Sequence, residues 1–204
     1  MAKFLKCLLC FLLGVAVSAG ALCIYVSTDE HTNVSEKNTY SDDAGLVMHA
    51  MEIAGYIMRE DYDALSGEIH PEKGVLFSPY AYINPDTDKV FTFRQVADFE
   101  SDRTKYIWGI YDGLGDVIEL TPSEFFKKFL CDHDYTSPDQ IGIDTIVRTG
   151  NTLENIDTQM PDIRYVDLYV AGSNDADWGS LRLGFESYNG KMKLVLIMHS
   201  QWTI

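Results

Sequence analysis

The side chains of this chain with types and spacing suited to chemistry are His70 and His199, the Cys131-Asp132-His133-Asp134 run, and a few aromatics. His199 shares a strand face with Val195 and Ile197 and could serve as a base. Without a fixed acid partner, though, it reads as a hydrogen-bonded structural histidine. His70 precedes Pro71 at the end of a helical pattern, where it caps that helix or lines a pocket mouth. Cys131 with His133 nearby has the residue types of a thiol nucleophile, but a lone cysteine following Phe129-Leu130 at a helix end reads as a small core residue. Asp132-His133-Asp134 offers oxygen and nitrogen ligands. Three adjacent residues rarely converge on one ion, so the run reads as a solvated loop, with Asp132 kept as a candidate base.

Asn84-Pro85-Asp86-Thr87-Asp88 starts like a calcium loop and then fails, with Lys89 where the glycine belongs and Gln95 where the bidentate acid belongs; it is a turn. Gly113-Leu114-Gly115 lacks the third glycine and the βαβ context of a nucleotide loop. Neither a Gly-x-Ser-x-Gly elbow nor a His-Glu-x-x-His pair occurs. Tyr80, Trp108, Trp178 and Trp202 are core or rim aromatics that any pocket would use as walls. The candidate pocket residues are therefore His70, Tyr80, Trp108, Asp132, His199 and Trp202; no metal ligand set and no cofactor is expected.

The start of the chain addresses location. Lys3 and Lys6 precede an uncharged, mostly apolar run from Cys7 to Val26, followed by Asp29 and Glu30. Such a run is long enough to cross a hydrocarbon layer as a helix, with its basic end in the cytoplasm and the remainder exported. Residues 1–26 are thus a signal peptide or a transmembrane anchor. Ala19-Gly20-Ala21 supplies a cleavage site after Ala21, whereas the apolar continuation Ile24-Tyr25-Val26 favours an uncleaved anchor. Leu22 before Cys23 and Leu9 before Cys10 argue against lipid attachment at either cysteine.

Beyond residue 26 lie all 31 acidic residues but only 14 basic ones, a net charge of −17. Nucleic acid is excluded as a partner by the lack of clustered Lys and Arg, and an anionic lipid surface is disfavoured on the same ground. The expected partner is a small molecule or a protein at the cell surface, with the membrane touched through the N-terminal segment alone. Cys131 is the one cysteine outside the leader, so the domain has no internal disulfide, which suits a bacterial exported protein better than a eukaryotic one.

Residues 27–43 are polar and form a disordered tether. A single domain over 44–204 follows. Leu46, Ala50, Ile53, Ala54 and Ile57 recur at helical steps behind Asp42 and Asp43, and a second helix from Asp61 to Ile69 ends before Pro71. Val75–Tyr82 reads as a strand, with Pro79 marking an edge or a bulge. Thr92 and Gln95 form a capping box for a short helix, and Lys105–Tyr111 pairs with Val117–Glu119 as a hairpin. Thr121-Pro122-Ser123-Glu124 opens a helix carrying Phe125, Phe126, Phe129 and Leu130. Ser137-Pro138-Asp139-Gln140 repeats that chemistry ahead of Ile141, Ile143 and Ile146, which predicts another helix despite Gly142.

Ile163–Ala171 is a strand, and Asn189-Gly190 joins Ser180–Tyr188 to Lys191–Ile204 as a hairpin. An unbroken register from that turn sets Phe185 against Leu194, Leu183 against Leu196 and Leu181 against Met198 on one face. It sets Glu186 against Lys193, Arg182 against Ile197 and Ser180 against His199 on the other.

This order of two helices, a strand pair, further helices and a C-terminal meander is similar to the NTF2-like, cystatin-related folds. The resemblance implies an α+β class in which N-terminal helices pack on a strongly bent antiparallel sheet, a cone with a pocket. The stretch from Asp61 through His70-Pro71-Glu72-Lys73-Gly74-Val75-Leu76-Phe77-Ser78-Pro79-Tyr80 looks like the second-helix-to-first-strand junction of that fold. Together with Trp178–Leu183 and His199–Ile204, it resembles a group of uncharacterised exported proteins of Gram-positive bacteria, over nearly all of residues 45–204. Ketosteroid isomerases of this fold class use an Asp base beside a Tyr and a protonated acid, and that constellation does not map onto residues here. Three functions follow as expectations: a non-enzymatic ligand- or partner-binding domain, a pocket enzyme of the isomerase or dehydratase kind with His199 or Asp132 as base, or a structural or inhibitory interaction domain.

Overall fold

The computed structural model describes residues 42–203, and the leader and nearly all of the tether lie outside them. Among the described residues no helix is long and apolar enough to cross a membrane. The fold is α+β, with five helices, a mixed six-stranded sheet and a small two-stranded sheet.

Helix α1 (Asp43–Met58) starts where the Asp42 side chain accepts the Gly45 amide, and it buries Leu46, Ala50, Ile53, Ala54 and Ile57. Helix α2 (Tyr62–Glu68) is capped by Asp61 and buries Tyr62 and Leu65; Ile69, before His70-Pro71, is already extended. Strand β1 (Val75–Ser78) stops short of the expected Tyr82, because proline 79 offers no ladder donor. β1 is nevertheless an interior strand, antiparallel to β2 (Lys89–Phe91) and parallel to β8 (Lys191–Gln201).

Helix α3 (Phe93–Ala97) carries the Thr92/Gln95 capping box. β3 (Tyr106–Ile110) and β4 (Val117–Leu120) pair only with each other. Helix α4 (Pro122–Phe125) opens with the Thr121/Glu124 capping box and widens into a π-type turn over Phe126–Leu130. The wider turn lets Phe125, Phe126, Phe129 and Leu130 all face inward.

Residues 140–143 are a strand, β5 (Gln140–Ile143), rather than the expected helix. The alternation of Ile141 and Ile143 outweighs the cap-like Ser137-Pro138, and β5 pairs with β6 (Arg164–Val170). A side chain at Gly142 would have its Cβ 2.2 Å from the Thr145 carbonyl oxygen, so the chain doubles back there only because the residue is glycine. Helix α5 (Ile156–Gln159) lies between β5 and β6 in the chain.

The strand order is β2-β1-β8-β7-β6-β5, with β7 spanning Gly179–Tyr188. Asn189 and Gly190 both take positive φ in the β7–β8 turn. The register holds from that turn through Phe185↔Leu194 and then slips by one residue: Gly184 pairs with Leu196, Leu183 with Ile197, Leu181 with His199, Arg182 with Met198 and Ser180 with Ser200. Val195 is the extra residue of a bulge, a feature that the turn residues do not encode. Downstream of it every β8 side chain changes face.

The sheet is therefore covered on both sides. One face carries Phe77, Val166, Leu168, Leu181, Leu183, Phe185, Leu194 and Ile197 against the helices and the β3–β4 hairpin. The other carries Tyr165, Leu196 and Met198 against Ile83 and Ile156. On that second face Arg182, fully buried, donates from Nε to Asp167 Oδ2 at 3.2 Å and from its terminal nitrogens to both Glu154 oxygens and the Arg148 carbonyl. Asp167 Oδ2 also accepts the Val147 amide at 2.9 Å, which ties the covering loop to the sheet.

Candidate functional site

The bulge at Val195 decides what His199 does. It turns the ring onto the face of Leu181 and Leu183, where it is fully buried beside Phe129, instead of onto the opposite face that an unbroken register predicts. Its Nδ1 lies 3.1 Å from the Pro79 carbonyl oxygen and its Nε2 3.0 Å from Asp132 Oδ2. His199 thus has the fixed acid that the sequence did not reveal. Both ring nitrogens face oxygen acceptors, and neither points a lone pair at open space, as a base acting on a ligand must.

Asp132 is correspondingly turned inward and is not part of a solvated loop. Its Oδ2 takes His199 and, at 2.9 Å, His133 Nδ1, while Oδ1 accepts the Tyr135 hydroxyl at 2.8 Å. Burial alone would push this carboxyl up, but the hydrogen bonds from His199, His133 and Tyr135 and the His199 charge together hold it down at about 2. A carboxyl more acidic in the fold than in the unfolded chain stabilises fully above its ordinary value of 3.8 and loses that contribution as pH falls to about 2. The shift corresponds to about 2 kcal/mol. In acid titrations followed by circular dichroism, Asp132→Asn should be less stable than the parent at pH 6, with the gap closing between pH 4 and pH 2. A gap that stays constant over that range would refute the assignment.

The other candidates separate. His70 is buried and caps forward, since its Nδ1 accepts the amides of Glu72 at 3.2 Å and Lys73 at 3.1 Å in the turn after α2; it lines no groove described below. Trp108 is fully buried core: its indole stacks on Phe125 with centroids 4.0 Å apart and its Nε1 donates to the Leu120 carbonyl at 2.8 Å. The Cys131 thiol is pushed up to about 11 by burial, which keeps it protonated and poorly nucleophilic. Tyr80 and Trp202 do meet, in a shallow groove of about 330 Å³ completed by Tyr111, Leu114, Lys128 and Thr203.

Tyr80 also borders a larger open groove of about 570 Å³. The end of β1, the 84–88 turn, the β3–β4 hairpin and the 151–153 loop form its walls. Its apolar surface comes from Pro79, Tyr80, Tyr82, Ile110, Tyr111 and Leu153, of which Tyr82, Ile110 and Leu153 are exposed. Its polar groups are held in place. Asp112 Oδ2 accepts Thr152 Oγ1 at 2.8 Å and Thr203 Oγ1 at 2.6 Å, and Asn151 brackets the Thr203 backbone from both ends.

Asp88 closes the 84–88 turn by accepting the Asn84 amide at 3.0 Å, and burial pushes its carboxyl up to about 6. Sequence reasoning marked the Asn84–Asp88 segment as a turn but missed Asp88, Asp112, Asn151, Thr152 and Leu153 as groove residues. The one signal for them was the density of acids and glycines at 86–88 and 112–116. No protein-family model matches this chain, and neither a curated protein nor a solved structure matches it.

Proposed function

We propose that the chain is a binding domain without a reaction of its own, working outside the cytoplasm, where residues 7–26 anchor it or are cleaved off near Ala21. We read its fold as NTF2-like. The order of two helices, a strand pair, further helices and an antiparallel meander supports that fold, and the Val195 bulge is a device that bends a sheet.

The observation that carries the binding reading is a contrast. The groups capable of chemistry, His199, Asp132 and Cys131, are packed among filled apolar side chains, whereas the aromatic and hydrogen-bonding groups of the 570 Å³ groove are open. The space between helices and sheet, where an isomerase-like pocket would lie, holds Leu46, Ile53, Phe77, Phe126, Leu183 and Phe185, all fully buried. That filling weighs against the pocket-enzyme alternative and is compatible with a structural or inhibitory interaction domain.

The test is a fragment screen by ligand-observed NMR on the full-length chain in a non-ionic detergent, with Leu153→Asp as control. Hits that the parent binds and the variant loses are the expected result. Hits unaffected by the variant, or conversion of any hit to product, would overturn the proposal.

A further inference from the structure

The open groove is lopsided in charge. Two carboxylates, Asp88 and Asp112, line it, and no Lys, Arg or His does. The two are not equivalent. Asp112 is satisfied by two threonine hydroxyls, which hold its carboxyl below the ordinary value. Asp88 has a single printed donor in the structure's hydrogen-bond network, the Asn84 amide on Oδ2, and forms no ion pair among the described residues. Its Oδ1 lies against Gly109, 3.5 Å from where a Cβ would stand, beside Pro79 at the groove's inner wall. A half-buried carboxylate without a counter-charge is costly to keep ionised, and a ligand cation removes that cost. Tyr80, Tyr82 and Tyr111 supply ring faces and edges around it, surfaces that favour both a cation and a flat apolar body.

We infer that this groove receives a small organic amine carried on a ring, with the ammonium group on Asp88 Oδ1 and the ring between the tyrosines and Leu153. The inference rests on the groove being the binding site, as proposed above, and adds the class of ligand. The volume, about 570 Å³, suits a small molecule. Asp112 adds a second negative charge without being the direct partner, since its Oδ2 is already used by Thr152 and Thr203. The titratable groups bordering Asp88 in the groove are Tyr80, Tyr82, Tyr111 and Asp112. The tyrosines stay neutral and Asp112 stays ionised at mild pH, so acidification from pH 7.5 to pH 5 changes the charge of Asp88 chiefly.

The probes are tyramine and 4-ethylphenol, which share a ring and differ by the amine. Titrations follow the methyl NMR signals of Ile110 and Leu153 in the full-length chain. Tyramine should bind about tenfold more tightly than 4-ethylphenol at pH 7.5, and the preference should shrink at pH 5. Asp88→Asn, which keeps an acceptor for the Asn84 amide, should reduce tyramine to the level of 4-ethylphenol and leave 4-ethylphenol unchanged. Equal binding of the two probes, or an Asp88→Asn variant that still prefers tyramine, overturns the amine inference while the groove remains a binding site. Absence of saturable binding by either probe overturns the inference too, and the fragment screen then decides separately whether the groove binds anything.

Discussion

Replacing Arg182 with leucine should destabilise the domain by about 3–5 kcal/mol, the cost of leaving a buried charge without its counter-ion. Asp167, fully buried, would keep its carboxylate and its bond to the Val147 amide but lose the only cation within reach among the described residues. A domain of ordinary stability, about 5–15 kcal/mol, would give up a third or more of it. Urea unfolding followed by tryptophan fluorescence measures this directly. The double variant Arg182→Leu/Asp167→Asn removes both charges while leaving an acceptor for Val147, and should recover a large part of the loss. Glu154, partly exposed, can turn to water in both variants. If the single variant unfolds within about 1 kcal/mol of the parent, the network is not the fastening that its geometry indicates.

Trp108→Ala should cost a similar amount, about 3–5 kcal/mol, but with a different spatial signature. The β3–β4 hairpin has no strand partner in the main sheet, so side-chain packing rather than a hydrogen-bond ladder attaches it. Trp108 is the centre of that attachment, stacked on Phe125 and edge-on to Phe77, with its indole nitrogen bonded to Leu120 of the neighbouring strand. Truncation should therefore loosen residues 106–120 ahead of the six-stranded sheet. Hydrogen exchange read by mass spectrometry should show that segment exchanging at least tenfold faster while peptides from β6–β8 keep their protection. Uniform acceleration across the chain would mean that the hairpin and the sheet unfold as one unit. Since the hairpin builds one wall of the groove, the same variant should also lose tyramine binding.

What the sequence made legible was whatever rests on local chemistry. Asp42, Thr92 and Thr121 are helix starts because their side chains satisfy free amides three residues on, and such signals need no knowledge of the rest of the fold. The Asn189-Gly190 turn was equally plain. Non-local features were not. The Val195 bulge follows from packing on two sides of β8, so the register could be read only as far as Phe185, and with it went the orientation of His199 and Arg182. Ser137-Pro138-Asp139-Gln140 looks like a helix start in isolation, yet pairing with β6 decides the outcome. The parallel contact of β1 with β8 had no local signature at all. Nor did the groove, whose walls come from four segments far apart in the chain, none of which carries a recognisable motif.

The seat of β8 between β1 and β7 has a kinetic consequence. Its meeting with the end of β1, where His199 reaches Pro79, closes a loop of 120 residues. The strand in the middle of the architecture is also the one that emerges after all its neighbours, during synthesis or passage through a translocation channel. Until it arrives, β1 and β2 have no sheet to join, and β7 presents an open edge. Assembly must therefore wait for late chain delivery and should be slow for a domain of this size, leaving a window in which a chaperone or a protease would encounter a half-built sheet.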